Sequence, residues 1–289
     1  MQLINQIIPD DANIFLVGDD HEGTSLRHDA GWHEFVEMVN APYDGLDAEH
    51  NFIVEHGDVI DAIHPDDPRY DGLTNKDTIL EQINTAVNHR LHTALKTIVI
   101  LDGNHPMKLW KYGRITQELC NRIHVPFGTY DSIISYLPKK GAKPFLKHFA
   151  SHGFGSMKST IDEPEDRENS LKRTLRKKLQ HKAGDCHLMS MGHTHKLLIK
   201  EPRQELYITS VRSKRVRQAY TTPMDVDTSG KTYIDPFMRW YVNTGSFYRL
   251  YGDGVSGYAE LAGYDPIELG FAICKIRGRK IVGIDKIVL

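Results

Sequence analysis

Sixteen histidines occur in this 289-residue chain, and the setting of some of them points to chemistry. Asp19-Asp20-His21 follows the apolar run 13–17. Gly57-Asp58, with Asp61 three residues on, follows the run 51–55. Gly103-Asn104-His105 follows the run 97–101, His152-Gly153 follows 147–150, and Gly192-His193 with His195 follows 187–191. The donors are carboxylate oxygens, an amide oxygen and imidazole nitrogens, all hard or borderline ligands for divalent cations. None is a thiolate. Cys120, Cys186 and Cys274 lie far apart and form no C-x-x-C pair. That excludes a disulfide framework and a thiolate zinc cluster, and it fits a reducing compartment. The donor set suits two adjacent divalent cations with one carboxylate between them, because one neutral side chain could not hold two dications together.

Ligand sites in α/β folds gather at the carboxyl ends of strands, so the elements behind these residues matter. Residues 13–17, 51–55 and 97–101 read as short buried strands. Trp32, Phe35, Val36 and Val39 recur at helical spacing. Ile79, Leu80, Ile83, Ala86, Val87, Leu91, Ala94 and Leu95 form an amphipathic stripe that predicts a helix over 76–95. Strand, helix, strand, helix, strand implies α/β with parallel pairing in the first half. The second half has a basic helix over 167–182, a strand over 187–191, and strand-like pieces at 205–211, 239–243, 257–262, 271–276 and 280–288. It reads as richer in antiparallel strands. Residues 64–75 and 221–235 read as surface loops. Without a repeat or a clear linker, residues 1–289 read as a single domain.

The ordered series D-x-H, G-D-x-x-D, G-N-H, H-G, G-H-x-H resembles the calcineurin-like metallophosphoesterases. Asn243-Thr244-Gly245-Ser246 is similar to that family's late N-x-G-S. The likeness covers roughly residues 13–250. Each motif alone is weak; five in order, each at a strand end, are specific. The resemblance implies an α/β fold, a two-sheet mixed β-sandwich flanked by helices in four layers. It implies an inserted loop at 64–75 and an inserted hairpin or cap at 203–238. Asp19, His21 and His195 would hold one metal, Asp58 would bridge two, and Asn104, His152 and His193 would hold the second. His105 would protonate the leaving oxygen, and Asp61 would orient His105. Two metals would make a bridging hydroxide available near neutral pH and offset the phosphate's charge. The general acid would add ~10²–10⁴-fold. Manganese is the first expectation, with iron, zinc, nickel or magnesium as alternatives.

Some positions depart from the family pattern. Pro106 follows His105 where many members have an acid. Ala62 follows Asp61 where the protein Ser/Thr phosphatase branch has a phosphate-gripping arginine, which disfavours that branch. Asp20 reads either as a supporting acceptor or as a solvated loop acid. Among the other histidines, His56 and His64 flank the bridging motif and are the better candidates for a role.

The overall charge is nearly balanced, 36 Lys+Arg against 38 Asp+Glu, so net charge alone would not coat a polyanion. The balance hides an asymmetry. Residues 1–70 carry 16 acids and two bases, Arg27 and Arg69. An acidic front around a site repels phosphate unless cations intervene. Residues 167–182 carry seven bases and one acid, and Arg212, Lys214, Arg215 and Arg217 cluster again. These segments read as a rim for nucleic acid or a nucleotide, or else as solvated faces. The expected function is phosphodiester hydrolysis. A phosphomonoesterase of the same fold, or a catalytically silent metal-dependent nucleic-acid-binding module, are the rivals. No apolar run approaches the ~20 residues of a membrane span. The N-terminus has no basic n-region and no cleavage site, so no membrane contact and a cytoplasmic location are expected.

Overall fold

The computed structural model describes residues 1–75, 77–211, 215–221, 233–255 and 258–289. The chain runs through β1 (Gln2–Ile7), β2 (Ala12–Val17), α1 (Asp29–Val39), β3 (Asn51–Glu55), α2 (Ile79–Arg90), β4 (Thr97–Ile100), α3 (Asn104–Met107) and α4 (Ile115–Ile123). It continues through β5 (Asp131–Leu137), β6 (Leu146–Ser151), α5 (Pro164–Leu179), β7 (Leu188–Met191), β8 (Leu197–Lys200), β9 (Leu206–Val211) and β10 (Arg215–Tyr220). β11 (Trp240–Thr244), α6 (Tyr258–Leu261), β12 (Gly270–Arg277) and β13 (Lys280–Val288) complete it.

Two mixed sheets dominate. One has the order β1-β5-β6-β7-β11-β8 and the other β13-β12-β2-β3-β4. β2, β3 and β4 are mutually parallel; so are β6, β7 and β11. Side-chain alternation along β2 shows how the layers form. Ile14 and Leu16 point between the sheets, where they join Val54, Ile134, Tyr136, Ala150, Leu188 and Val242. Phe15 and Val17 point the other way, onto Trp32, Phe35 and Val39 of α1. Every β2 residue is buried, as expected for a strand covered on both faces. The outer face of the six-stranded sheet is covered by α5, whose Leu171, Leu175 and Leu179 pack with Phe149, Met189 and Tyr241. Truncating one such leucine to alanine costs about 2–5 kcal/mol.

Several elements differ from the sequence reading. The helix expected over 76–95 spans only Ile79–Arg90. A capping box between Thr78 and Glu81 fixes its start, and a short 3-10 turn, Ala94–Lys96, follows its end. Leu80, Leu91 and Leu95, counted in the apolar stripe, are exposed. The basic helix begins earlier, with Pro164 in its first turn, and ends at Leu179. The strand expected over 257–262 is instead a single helical turn, Tyr258–Leu261; its short, Ala/Glu/Leu-containing stretch favours helix. β1, β5, β8, α3 and α4 lie outside the elements read from the sequence. β1 buries only Ile4 along its length, too little to register as a strand pattern. β9 and β10 pair as an antiparallel hairpin. Residues 76, 212–214, 222–232 and 256–257 lie outside the described residues, and with them Arg212, Lys214, Gly257 and most of the loop 221–235. Among the described residues, no helix is long and apolar enough to cross a membrane.

Candidate metal centre

The carboxyl ends of β2, β3 and β4 meet those of β6, β7 and β11 along one edge of the sandwich, and the sequence-predicted residues converge there. Asp19, His21 and His195 offer ligand atoms within 4.8 Å of one another, and so do Asp58, His152 and His193. His21, Asp58 and His105 form a third such group. The five-stranded sheet supplies the carboxylates, His21 and Asn104; the six-stranded sheet supplies His152, His193 and His195.

The loops that carry these groups are strained into place. Asp19, His21, Asp58, His193 and His195 all have left-handed backbone, with φ of 54°, 52°, 49°, 68° and 55°. Such conformations are uncommon for non-glycine residues and cluster at functional sites. Two glycines make the turns possible. Gly57 has φ +90°, and a Cβ there would lie 2.4 Å from the Asp102 carbonyl. A Cβ on Gly103 would lie 2.0 Å from Asp58 Oδ1. Asp102, beneath that turn, accepts from Thr116 Oγ1 at 2.7 Å and Trp110 Nε1 at 3.1 Å, which ties the loop to α4.

The donor chemistry fits divalent cations. Asp19 Oδ1 and His21 Nε2 are buried and have no hydrogen-bond partner among the described residues, an arrangement that costs free energy unless an ion completes it. His195 Nε2 stands 3.6 Å from Asp19 Oδ1. His152 Nδ1 donates to the His56 carbonyl at 2.6 Å, which turns Nε2 toward Asn104 Oδ1 at 2.8 Å and Asp58 Oδ2 at 3.3 Å. His193 Nδ1 also faces Asn104 Oδ1, at 2.6 Å. Three potential ligand atoms, His152 Nε2, His193 Nδ1 and Asn104 Oδ1, thus converge on one point, as ligands around a shared cation do. Asp19 is anchored from behind: its Oδ2 accepts from the His193 amide at 2.8 Å, and its carbonyl accepts from Ser246 Oγ at 3.0 Å. Asn243 Nδ2 donates to Thr194 Oγ1. Asn243-Thr244-Gly245-Ser246 therefore buttresses the two flanking loops.

Electrostatics follow from burial. Burial pushes Asp19 up to about 8. For Asp58 burial acts the same way, but the charges of His152 and His105 outweigh it and hold the carboxyl well below the usual range. Burial opposes a charge on His152, yet Asp58 and Asp19 raise it to about 9. Burial pushes His193 down to about 4 and His195 well below the usual imidazole value.

Some expected roles shift in detail. The Asp61 carboxylate lies nearer His21, whose Nδ1 is 3.1 Å from Oδ1, than His105, at 3.4 Å. It is instead the Asp61 carbonyl that accepts from His105 Nδ1, at 2.5 Å. Asp20 is neither a metal-side acceptor nor solvated: it is buried and paired with Arg27 and Arg90. His64 is half-exposed beside Asp66. The 64–75 segment is more than a surface loop. Thr74 and Asn75 are buried, and Asn75 Nδ2 donates to Asp61 Oδ2 at 2.6 Å.

Sequence reasoning missed three features here. Tyr248 packs its ring 4.8 Å from that of His21 and 5.6 Å from that of His195. Arg69 reaches His105, at 3.3 Å. Beneath the site lies a buried polar chain. The Val17 carbonyl can only accept, so His56 Nδ1, at 2.9 Å, carries the proton. Burial keeps His56 and His148 neutral at ordinary pH. His56 Nε2 therefore accepts from Ser190 Oγ at 2.6 Å, Ser190 accepts from His148 Nε2 at 2.6 Å, and His148 Nδ1 accepts from Tyr136 at 3.1 Å. The donors all run one way.

No protein-family model matches the chain, and no curated protein matches it.

Proposed function

We propose that this chain is a dinuclear-metal phosphoester hydrolase of the calcineurin-like type, acting on phosphodiesters of nucleotides or nucleic acid. One observation carries the reading: two Asp/His ligand groups meet around Asp58, with Asp19 Oδ1 and His21 Nε2 buried and lacking hydrogen-bond partners among the described residues. Asp19, His21 and His195 would hold one ion and Asn104, His152 and His193 the other, with Asp58 between them. Bound there, two divalent ions, manganese first among them, lower the pKa of water and offset the substrate's negative charge.

The chain's own groups do the rest. His105 stands at the side of the site, with its amide donating to Asp58 Oδ1 at 2.9 Å. The Asp61 carbonyl fixes its Nδ1 proton, which aims Nε2 outward, where it can deliver a proton to a leaving oxygen. Burial disfavours the imidazolium, but Asp58 and Asp61 outweigh that and raise its pKa, as a general acid needs. Asp61 and Asn75 hold His21 in orientation. The preference for diesters on a polyanion draws on α5. Lys178 hydrogen-bonds the Phe154 carbonyl at 2.6 Å, next to His152-Gly153, and its charge acts on His193. Arg215 and Arg217 are exposed on the β9–β10 hairpin.

The test is hydrolysis of a chromogenic phosphate diester and a monoester by metal-stripped protein, with Mn²⁺, Zn²⁺, Mg²⁺ and Ni²⁺ added singly. Diester turnover should require metal and should vanish in Asp58→Asn, which should also lose bound metal. His105→Ala should keep its metal and lose ~10²–10⁴-fold in turnover. Monoester preference would change the substrate class. No turnover with any ion, despite two ions bound per chain, would sink the hydrolase reading.

A further inference from the structure

Of the two bases in the first 70 residues, Arg27 is consumed by Asp20, Glu22 and Asp29. Arg69 faces the other way. Its backbone amide and Nε donate to Asp67 Oδ1 at 2.9 and 3.0 Å, and Nη2 donates to Oδ2 at 2.9 Å. That fork directs the remaining arm, Nη1, to His105 Nε2 at 3.3 Å. A guanidinium arm ordinarily meets a carboxylate or a phosphate; here it meets only a ring nitrogen, the one that must carry a proton when His105 acts as an acid, so the arm has no anion opposite it. The side chain is 26% exposed, so a solute can reach it. Lys108 Nζ also approaches Asp67, at 3.4 Å. Two cations against one carboxylate leave this rim with one positive charge, within reach of the residue placed against the leaving group.

We propose that Arg69 binds a non-bridging oxygen of the substrate's phosphate group, and that the Asp67–Arg69 fork makes the 64–75 loop a recognition element for one anionic oxygen. The proposal rests on the phosphoester reading of the metal centre. The oxygen would enter beside the His105 ring and give Nη1 the anionic acceptor it lacks there. Asp67 would hold the fork while Nη1 stayed with the substrate.

The experiment uses the full, metal-loaded chain with inorganic phosphate as probe, followed by calorimetry, and the chromogenic diester for kinetics. Arg69→Ala should weaken phosphate binding and raise KM by about 10- to 100-fold, with kcat changed much less and metal content unchanged. Arg69→Lys should restore only part, because a point charge cannot form the fork. Asp67→Asn should give a smaller loss of the same kind. Unchanged phosphate binding and KM in Arg69→Ala would overturn the proposal. So would a loss matched by falling metal content, which marks a structural role. If the parent protein binds phosphate through Arg69 yet hydrolyses no ester with any metal, the hydrolase reading fails and the anion site stands. If the parent hydrolyses ester and Arg69→Ala is silent, the reverse holds.

Discussion

Asp19 and Asp20 are consecutive, both are buried, and their surroundings are opposite. Asp20 accepts from Arg27 Nε at 2.7 Å and from Arg90 Nη2 at 2.9 Å. Arg90 also grips Glu55, and Arg27 and His89 reach Glu22 at 3.3 and 2.7 Å. Both guanidinium groups lie over the Trp32 ring, at 5.2 and 4.7 Å. Burial opposes ionisation of Asp20, yet the two arginines hold its carboxyl low. On the other side of the chain, Asp19, Asp58 and Asp61 have only histidines as ionic partners among the described residues. The fold surrounds the buried Asp20 with arginines. It surrounds the carboxylates of the candidate centre with imidazoles, which can surrender a proton to a cation.

The sharpest test swaps the neighbours. Asp20→Asn should take from two buried arginines the carboxylate they share and cost about 3 kcal/mol in urea unfolding of metal-free protein, with the folded fraction still binding metal. Asp19→Asn should do the reverse: metal-free stability at neutral pH should stay within about 1 kcal/mol of the parent, because Asp19 is already a neutral acid in the metal-free fold. Metal counted by mass spectrometry should drop. If both variants lose metal equally, the division of labour is wrong.

A pH series extends the contrast. In the metal-free fold Asp19 keeps its proton up to about 8 against 3.8 for the ordinary carboxyl. His152 keeps its proton up to about 9 against 6.5. Both groups bind more protons folded than unfolded. Their contribution is therefore fully present at low pH and is lost as pH rises, from 3.8 to about 8 for Asp19 and from 6.5 to about 9 for His152. Asp20, whose carboxyl is lowered, adds stability above its ordinary value and loses it only in acid. Metal binding requires Asp19 and His152 deprotonated, so the gain in Tm on adding Mn²⁺ should grow between about pH 6 and about pH 8.5. A flat response would remove both groups from the ligand set. The smallest effect is expected at the rim of the paired cluster. His89→Gln, the partly exposed partner of Glu22, should cost about 0.5–1 kcal/mol and leave metal content untouched.

Much of the site was legible because its residues follow short apolar strands, and strand ends are where a parallel sheet gathers groups from distant sequence. The motifs needed no side-chain geometry to be placed. What escaped was of another kind. The partners of Asp20 lie 7 and 70 residues away, and no local pattern ties Arg90 to that carboxylate. The 64–75 loop looked like solvent-exposed Pro/Asp sequence, but Arg69 and Asn75 turn back onto His105 and Asp61. Helix ends went astray where apolar residues such as Leu91 and Leu95 continue the stripe in sequence but face water. Periodicity reports which face could be buried, not where the capping residues stop the helix.

The carboxylates of the candidate metal centre ride on one sheet and most of its imidazoles on the other, so the gap between them depends on how two stacked plates are aligned. The chain from Tyr136 through His148, Ser190 and His56 to the Val17 carbonyl spans those plates. Each member's single proton is already committed in one direction, so a shifted alignment offers no second pattern in which every member is satisfied. The four side chains thus act as a key in a slot, and the gauge they set is the spacing at which the two halves of the centre face each other.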